Sequence, residues 1–260
     1  MSKKRIDSVL VEWGFFESRN KAQAAIEEGI VFLKDQKILK SNLEVDINEE
    51  TKNSIRVENG QSNKYVSRGG IKMEGALTQV ALHVSGLRIL DIGISTGGFT
   101  DCLLQNGAKE IVGIDVGHKQ IHHSLLSNPK LHVYEGVHVK NLSQKDKSGK
   151  NFFASFGLDD QFDLIVCDVS FISLKFVVPH VAPFLKQNGL LLFLVKPQFE
   201  VAKEDLGKGG VVKDTSLFQR VEILIKSLFE DSRFSVLNYF ESPITGSDGN
   251  QEFFVYAQKK

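Results

Sequence analysis

Along the first sixty or so residues, apolar positions recur at helical spacing and then give way to short β-like pieces. Ile6, Val9, Leu10 and Trp13 fall three and four apart on one face of a short helix, which Gly14 stops. Glu17-Ser18 opens a second helix with Ala22, Ala25 and Ile26 inward and Gly29 at its end, and the small side chains allow close packing of the pair. Residues 30–33 and 54–57 read as short strands around a turn-like 34–37. The polar run 59–63 marks the expected boundary: a small α+β domain over 1–60 and a larger one over 61–260, with 61–75 as linker and entry helix.

From Tyr65 onward the rhythm is strand, glycine turn, helix. Apolar runs at 87–92, 111–115, 131–134, 162–167 and 190–195 are strand candidates, and helical stretches such as 100–105 and 174–185 lie between most of them. Such alternation predicts a parallel sheet with helices on both faces. The end differs. A long helix over 215–230 precedes two strand-like runs, 234–240 and 252–257, joined through Ser247-Asp248-Gly249-Asn250. The expected fold class is α/β: a Rossmann-like, mostly parallel sheet with an antiparallel C-terminal strand, plus the small α+β N-terminal domain.

Composition mainly removes alternatives. The chain is 260 residues, 42% hydrophobic and 25% charged, with 32 basic and 32 acidic side chains. Balanced charge excludes a wholesale basic coat, so any nucleic-acid surface must come from local clustering. Ordinary apolar content argues against disorder. Cys102 and Cys167 stand far apart, form no disulfide framework, and read as small buried apolar residues of a reduced, cytoplasmic protein. The longest purely apolar run, 190–195, is far short of the roughly 18 residues of a membrane span. Asp7 and Glu12 interrupt any signal-like stretch behind Lys3-Lys4-Arg5, so a soluble intracellular protein is expected.

The most informative stretch is Leu90-Asp91-Ile92-Gly93-Ile94-Ser95-Thr96-Gly97-Gly98-Phe99-Thr100. A buried strand feeds an acidic residue, then a turn of small residues, then a helix whose first N–H groups lack partners. Gly93 and Gly98 have the spacing of a nucleoside triphosphate loop, but Phe99 holds the lysine position, so phosphate neutralisation is lost. Ser95 replaces the middle glycine of the dinucleotide fingerprint. S-adenosylmethionine, a sulfonium with no phosphate, suits the acidic Asp91 beside Gly93, Ser95, Thr96, Gly97 and Gly98. Asp115, 22 positions after Gly93 at the next strand end, can accept both ribose hydroxyls of a nucleoside, although an ordinary strand-end turn is the competing reading.

Several separated motifs then resemble one family. They are 65–72 (Tyr-Val-Ser-Arg-Gly-Gly-Ile-Lys), the Ser-Thr-Gly-Gly-Phe-Thr-Asp run ending at Asp101, and 167–173 (Cys-Asp-Val-Ser-Phe-Ile-Ser). Three more are 195–200 (Val-Lys-Pro-Gln-Phe-Glu), 207–214 (Gly-Lys-Gly-Gly-Val-Val-Lys-Asp) and 249–252 (Gly-Asn-Gln-Glu). The second block resembles FtsJ-type ribose 2′-O-methyltransferases. The whole chain resembles the TlyA family, known both as haemolysins and as ribosomal-RNA cytidine 2′-O-methyltransferases. The first block is similar to the small RNA-binding domain named after ribosomal small-subunit protein four. The resemblance implies a methyltransferase sheet, S-adenosyl-L-methionine as cofactor, and ribosomal RNA or ribosomal subunits as partner, with no membrane. It also implies a catalytic Lys-Asp-Lys-Glu tetrad, matched by Lys72, Asp168, Lys196 and Glu252, with Asp168 also on the cofactor side. One departure stands out: where the family tends to show an acidic residue followed by Arg-Thr-Asn, this chain reads Glu135-Gly136-Val137-His138.

The chemistry is an in-line displacement, so positioning and a base are its main needs. A free lysine titrates near about 10.4; burial and a second ammonium both push it down. Lys196 leaves the apolar 190–195 run at a strand's C-terminal end, where open α/β sheets bind ligands, and is the expected base; Lys72 supplies the like charge, and Asp168 and Glu252 orient the pair. Taken singly, Lys72 reads as a solvated helix residue and Glu252 as an exposed strand residue. Candidate RNA contacts are Lys3, Lys4, Arg5, Arg19 and Lys21 across the first two helices, with Arg68 and Lys208. Lys208 shares a glycine-rich stretch, 198–214, with Lys203 and Lys213, read either as a mobile lid or as a plain loop. Yet residues 1–64 hold 11 basic and 11 acidic side chains, so RNA binding there rests on the resemblance. His118 and His122 stand four apart on an expected helix, but no carboxylate or cysteine cluster accompanies them and no metal site is expected. Rival readings are a membrane-active haemolysin, an RNA-binding assembly factor with weak catalysis and, more remotely, a nicotinamide dehydrogenase.

Overall fold

The structure, a computed structural model, describes residues 3–58, 60, 64–246 and 248–260. Of the expected boundary run 59–63 all but Gly60 lies outside the described residues, as does Ser247 of the late turn. The chain forms two compact units, Met1–Arg68 and Gly69–Lys260.

In the first unit, β1 (Lys3–Arg5) leads into α1 (Ile6–Glu12), α2 (Arg19–Glu28), β2 (Val31–Leu33), β3 (Gln36–Lys37), β4 (Glu44–Asp46), α3 (Glu49–Asn53) and β5 (Ile55–Val57). The two helices pack through Ile6, Val9, Leu10, Ala22, Ala25 and Ile26, all buried as their spacing predicts. Ser18 caps α2 by accepting from the Lys21 N–H, and Gly29 closes it at φ +77°. Lys34 and Asp35, at φ +48° and +63°, form the two-residue turn between β2 and β3. Strands β1 and β4 and helix α3 are additions to the sequence reading. Lys3-Lys4-Arg5 shows no apolar alternation; its antiparallel pairing sets Lys3 opposite Asp46 and Arg5 opposite Glu44, a charge match invisible along the chain.

The second unit runs α4 (Gly69–Gln79), β6 (Arg88–Ile92), α5 (Gly98–Gln105), β7 (Glu110–Asp115), β8 (Leu131–Glu135), α6 (Phe152–Ser155), β9 (Phe162–Cys167), α7 (Val178–Val181), β10 (Leu185–Val195), α8 (Ser216–Asp231), β11 (Phe234–Glu241) and β12 (Phe253–Lys259). Seven strands join in the order β11-β12-β10-β9-β6-β7-β8. Neighbours from β10 to β8 are parallel, and β12 lies antiparallel between β10 and β11. The strand order reverses at β6, whose neighbours are β7 and β9. A crevice for ligands therefore opens beyond the C-terminal ends of β6 and β9. Its supporting core packs Leu90, Ile165, Phe193, Phe229 and Phe234 between sheet and helix. Cys102 and Cys167 are buried thiols outside any disulfide, and burial pushes the Cys167 thiol up.

Two local expectations fail. The helix expected over 174–185 is a 3₁₀ turn (Leu174–Phe176), the single turn α7 and another 3₁₀ turn (Ala182–Phe184). Pro179 and Pro183 remove N–H donors there and allow no continuous ladder. The following strand starts earlier than read, at Leu185, and absorbs the polar Lys186-Gln187-Asn188-Gly189 through a register shift before Leu190. The helix expected around His118 and His122 is absent too: residues 116–119 are bends, with Lys119 at φ +56°.

Candidate active site

Asp91, on β6, is fully buried. Its Oδ2 accepts from Thr100 Oγ1 at 2.6 Å, and its Oδ1 has no hydrogen-bond partner among the described residues. Burial pushes its carboxyl up to about 7, Thr100 opposes, and the charges of Asp168 and Asp115 add to the rise. The turn that follows needs its glycines for protein contacts. A Cβ on Gly93 (φ +81°) would lie 2.5 Å from the Asp168 carbonyl oxygen, and one on Gly97 (φ +91°) 2.4 Å from Leu125 Cδ1. The close approach anticipated with a ligand is thus, at these two positions, an approach between strand ends and a neighbouring loop. Gly98 begins α5, and exposed Thr96 accepts from the His122 N–H through its carbonyl.

Asp115, ending β7, accepts from the Ser95 N–H at 2.8 Å and the Gly117 N–H at 2.7 Å. A carboxylate has capacity beyond two such bonds, which leaves room for ribose hydroxyls. The departing segment joins this turn. Gly136 donates to the Gly117 carbonyl and Val137 to the Asp115 carbonyl, while Glu135 accepts from the Lys119 and Gln120 N–H groups. These bonds, above all that from Lys119, hold the Glu135 carboxyl below the usual carboxylate range. A Cβ at Gly136 would lie 2.5 Å from His118 Cε1, so the glycine leaves space for the histidine ring. His122 accepts from the Ser124 N–H through Nδ1.

The strand ends also gather the lysines. Asp168 follows β9 and Lys196 follows β10, and Lys196 Nζ stands 2.5 Å from Asp168 Oδ1 and donates to Ser170 Oγ at 3.0 Å. Because β12 runs antiparallel to β10, with Phe253 opposite Val195, its N-terminal end lies beside the C-terminal end of β10. Glu252 therefore arrives next to Lys196. It is buried and ion-paired with Lys72 of α4, which is also buried, so the separate readings of these two as solvated residues do not hold. Burial raises the Glu252 carboxyl, and the charge of Lys72 opposes that rise. The structure thus brings all four tetrad candidates together as two ion pairs.

Around them stand groups the sequence reading did not single out. Phe171, three residues beyond Asp168, is 90% exposed at φ +63°, a conformation rare for a bulky residue, with its ring 5.2 Å from that of Phe199. Glu200 accepts from Ser173 Oγ and the Leu174 N–H, fixing the loop that carries Phe171. Buried Asn250 accepts from the Val212 N–H at 3.0 Å and donates to the Gly210 carbonyl at 3.2 Å, pinning the glycine-rich stretch that bears exposed Lys208. Thr100 and Asn250 lie within the quoted motifs, but no spacing rule marks a residue whose partner is a buried carboxylate or a distant backbone.

In the first unit Lys3, Lys4, Arg5 and Arg19 are exposed; Lys4 pairs with Glu12, Lys21 with Glu17, and Arg5 and Arg19 both with Asp7. Arg68, also exposed, ends that unit.

Asp91 and Asp115, with no basic group in the glycine turn between them, disfavour a diphosphate and fit a cationic nucleoside. The sheet order and this site define a Rossmann-like methyltransferase that takes S-adenosylmethionine. More narrowly, the chain belongs to the FtsJ-like methyltransferase family, which it matches over residues 65–259, and it carries an S4 domain over residues 4–50. It is 34% identical over 252 residues to a 16S/23S rRNA (cytidine-2′-O)-methyltransferase, TlyA, of Mycobacterium tuberculosis, covering 97% of this chain and 88% of that protein. It is 35% identical to Hemolysin A of Brachyspira hyodysenteriae, covering 97% and 98%. A solved Streptococcus thermophilus structure with a provisional hemolysin designation superposes at TM-score 0.72 with 32% identity, covering 100% of this chain and 90% of that one. Among the described residues no helix is long and apolar enough to cross a membrane.

Proposed function

We propose that this protein methylates the 2′-hydroxyl of a cytidine ribose in ribosomal RNA, free or within a ribosomal subunit, in the cytoplasm. The observation that carries the reading is the Lys196–Asp168 pair at the sheet's C-terminal edge, beside the Asp91 turn and backed by the buried Lys72–Glu252 pair. S-adenosylmethionine, when bound, supplies a methyl carbon made electrophilic by its sulfonium. Asp91 and Asp115 flank the glycine turn and favour a cationic nucleoside there. As the neutral amine, Lys196 Nζ would take the hydroxyl proton as the ribose oxygen gains the methyl, and the electron pair of the broken carbon–sulfur bond would stay on sulfur. The proton that makes Lys196 the cation of its pair with Asp168 has left before this step. Asp168 and Ser170 aim Lys196, and Lys72 with Glu252 fixes the far side of the site. Phe171 offers an exposed ring on which the target base can stack once it leaves its own helix.

The test is incubation of the protein with labelled methyl donor and separated ribosomal subunits, followed by mapping of the methylated ribose. Losing a positioned base costs roughly 10²–10⁴-fold in rate, so Lys196→Ala abolishes detectable labelling while the protein stays folded. Full methyl transfer by that variant would overturn the assignment of the base.

A further inference from the structure

One buried charge stands apart from the methyl-transfer chemistry. Asp7, in the first turn of α1, has no exposed surface. Its carboxylate accepts from Arg5 Nε at 3.2 Å and Nη2 at 2.8 Å, Arg19 Nη2 at 3.0 Å, Gln23 Nε2 at 2.6 Å and Ser8 Oγ at 3.4 Å. Burial alone would raise this carboxyl, but the bonds from Arg5, Gln23 and Arg19 hold it well below the usual range. The two arginines remain about half exposed, at 46% and 52% of their side chains. Among the described residues Arg5 Nη1 and Arg19 Nε and Nη1 make no hydrogen bond.

The other cations nearby are held differently. Lys4 and Lys21 pair with Glu12 and Glu17 at the surface, and such pairs contribute little and exchange readily. Arg5, just before α1, and Arg19, the first residue of α2, instead share one carboxylate oxygen of Asp7. Without it, two guanidinium groups would converge on the same point and repel each other. With it, the cluster keeps a net charge of one and presents outward-facing donors in a set geometry.

We propose that Asp7 is a positioning residue that holds Arg5 and Arg19 as a preformed fork for the phosphate backbone of RNA. The proposal rests on the reading of the first unit as an RNA-gripping S4 domain and names the group that makes its grip. Guanidinium donors match phosphate oxygens bidentately. Ordering a long side chain on binding costs roughly two- to ten-fold in affinity for each one, and Asp7 meets that cost for both arginines in the free protein.

The test measures affinity of the full chain for deproteinised ribosomal RNA between about 50 and 200 mM salt, where phosphate contacts dominate the dependence. Asp7→Asn adds a positive charge to a protein facing a polyanion. If Asp7 merely damps charge, that variant binds more tightly; if it positions the arginines, binding weakens by roughly five-fold or more despite the added charge. Unfolding curves verify that the variant is folded. Should it not fold, Arg19→Lys decides the matter, because it keeps the charge on an exposed side chain and loses only the fork. Several-fold weaker binding by Arg19→Lys, with the salt slope unchanged, supports the proposal. Tighter or equal binding by folded Asp7→Asn, or wild-type binding by Arg19→Lys, overturns it alone. No salt-dependent binding by the wild-type chain overturns it together with the RNA-gripping role of the first unit.

Discussion

Replacing Asp91 with asparagine changes one charge and almost nothing else. The amide keeps an acceptor for Thr100 Oγ1 and places its NH2 where Oδ1 already lacks a partner. In the folded protein burial pushes this carboxyl from the ordinary 3.8 to about 7, with the Thr100 bond opposing and Asp168 and Asp115 adding to the rise. The unfolded chain releases the proton near 3.8, whereas the folded one keeps it until about pH 7. Across that window the folded state binds the extra proton. Stability is therefore highest below the unfolded value, falls as pH climbs, and levels off once the folded group has ionised. The slope is at most about 1.4 kcal/mol per pH unit, which over the window makes the ceiling on the order of 4 kcal/mol. The Asp91→Asn side chain mimics the protonated acid at every pH and lacks this loss. Urea unfolding of both proteins at several pH values between about 5 and 8 cancels all other titrating groups in the difference. The amide variant should gain steadily on the wild type up to neutrality and no further beyond it. Parallel stability profiles would refute the claim that Asp91 is a protonated, buried acid poised for a cation. The same linkage makes S-adenosylhomocysteine, whose amino group is positive, bind wild type more tightly as pH rises toward 7, a slope the amide variant loses.

Two further outcomes follow from the site. Glu252→Gln leaves the ammonium of Lys72, whose side chain is 10% exposed, without its counter-charge and should cost about 3–5 kcal/mol in urea unfolding. Adding Lys72→Met should recover most of that loss, and strictly additive costs would show that the pair is not coupled. Phe171→Ala should raise KM for RNA by roughly 5–100-fold, the cost of one lost base stack, and leave S-adenosylmethionine affinity unchanged; an unaltered KM would remove the ring from the binding surface.

The parts of the site legible in the sequence are those that sit at strand ends. Asp91, Asp115, Asp168 and Lys196 each terminate or follow an apolar run, and a parallel sheet carries all such ends to one edge. Lys72 and Glu252 carry no such mark. They are 180 positions apart, and their meeting depends on β12 entering the sheet antiparallel, which reverses the direction from which Glu252 arrives. Only the family resemblance named them in advance. The misread helix over 174–185 failed for the opposite reason: its apolar spacing was real, but Pro179 and Pro183 broke the backbone ladder on which the spacing relies.

Charge counting is uninformative for a different reason. Equal numbers of acids and bases over residues 1–64 leave RNA binding there to rest on the resemblance. That count gives every acid the same weight, whereas burial does not. Glu12 and Glu17 neutralise Lys4 and Lys21 at the surface, where RNA can displace them. Asp7 lies beneath the surface, beyond the reach of any phosphate, and its charge fixes the direction of two arginines. An acid in that position lowers the net charge by one and still makes the surface more receptive to phosphate. A surface built from residues 1–64 can therefore grip RNA at zero net charge, because what the backbone of RNA meets is the exposed geometry of the guanidinium donors and not the sum.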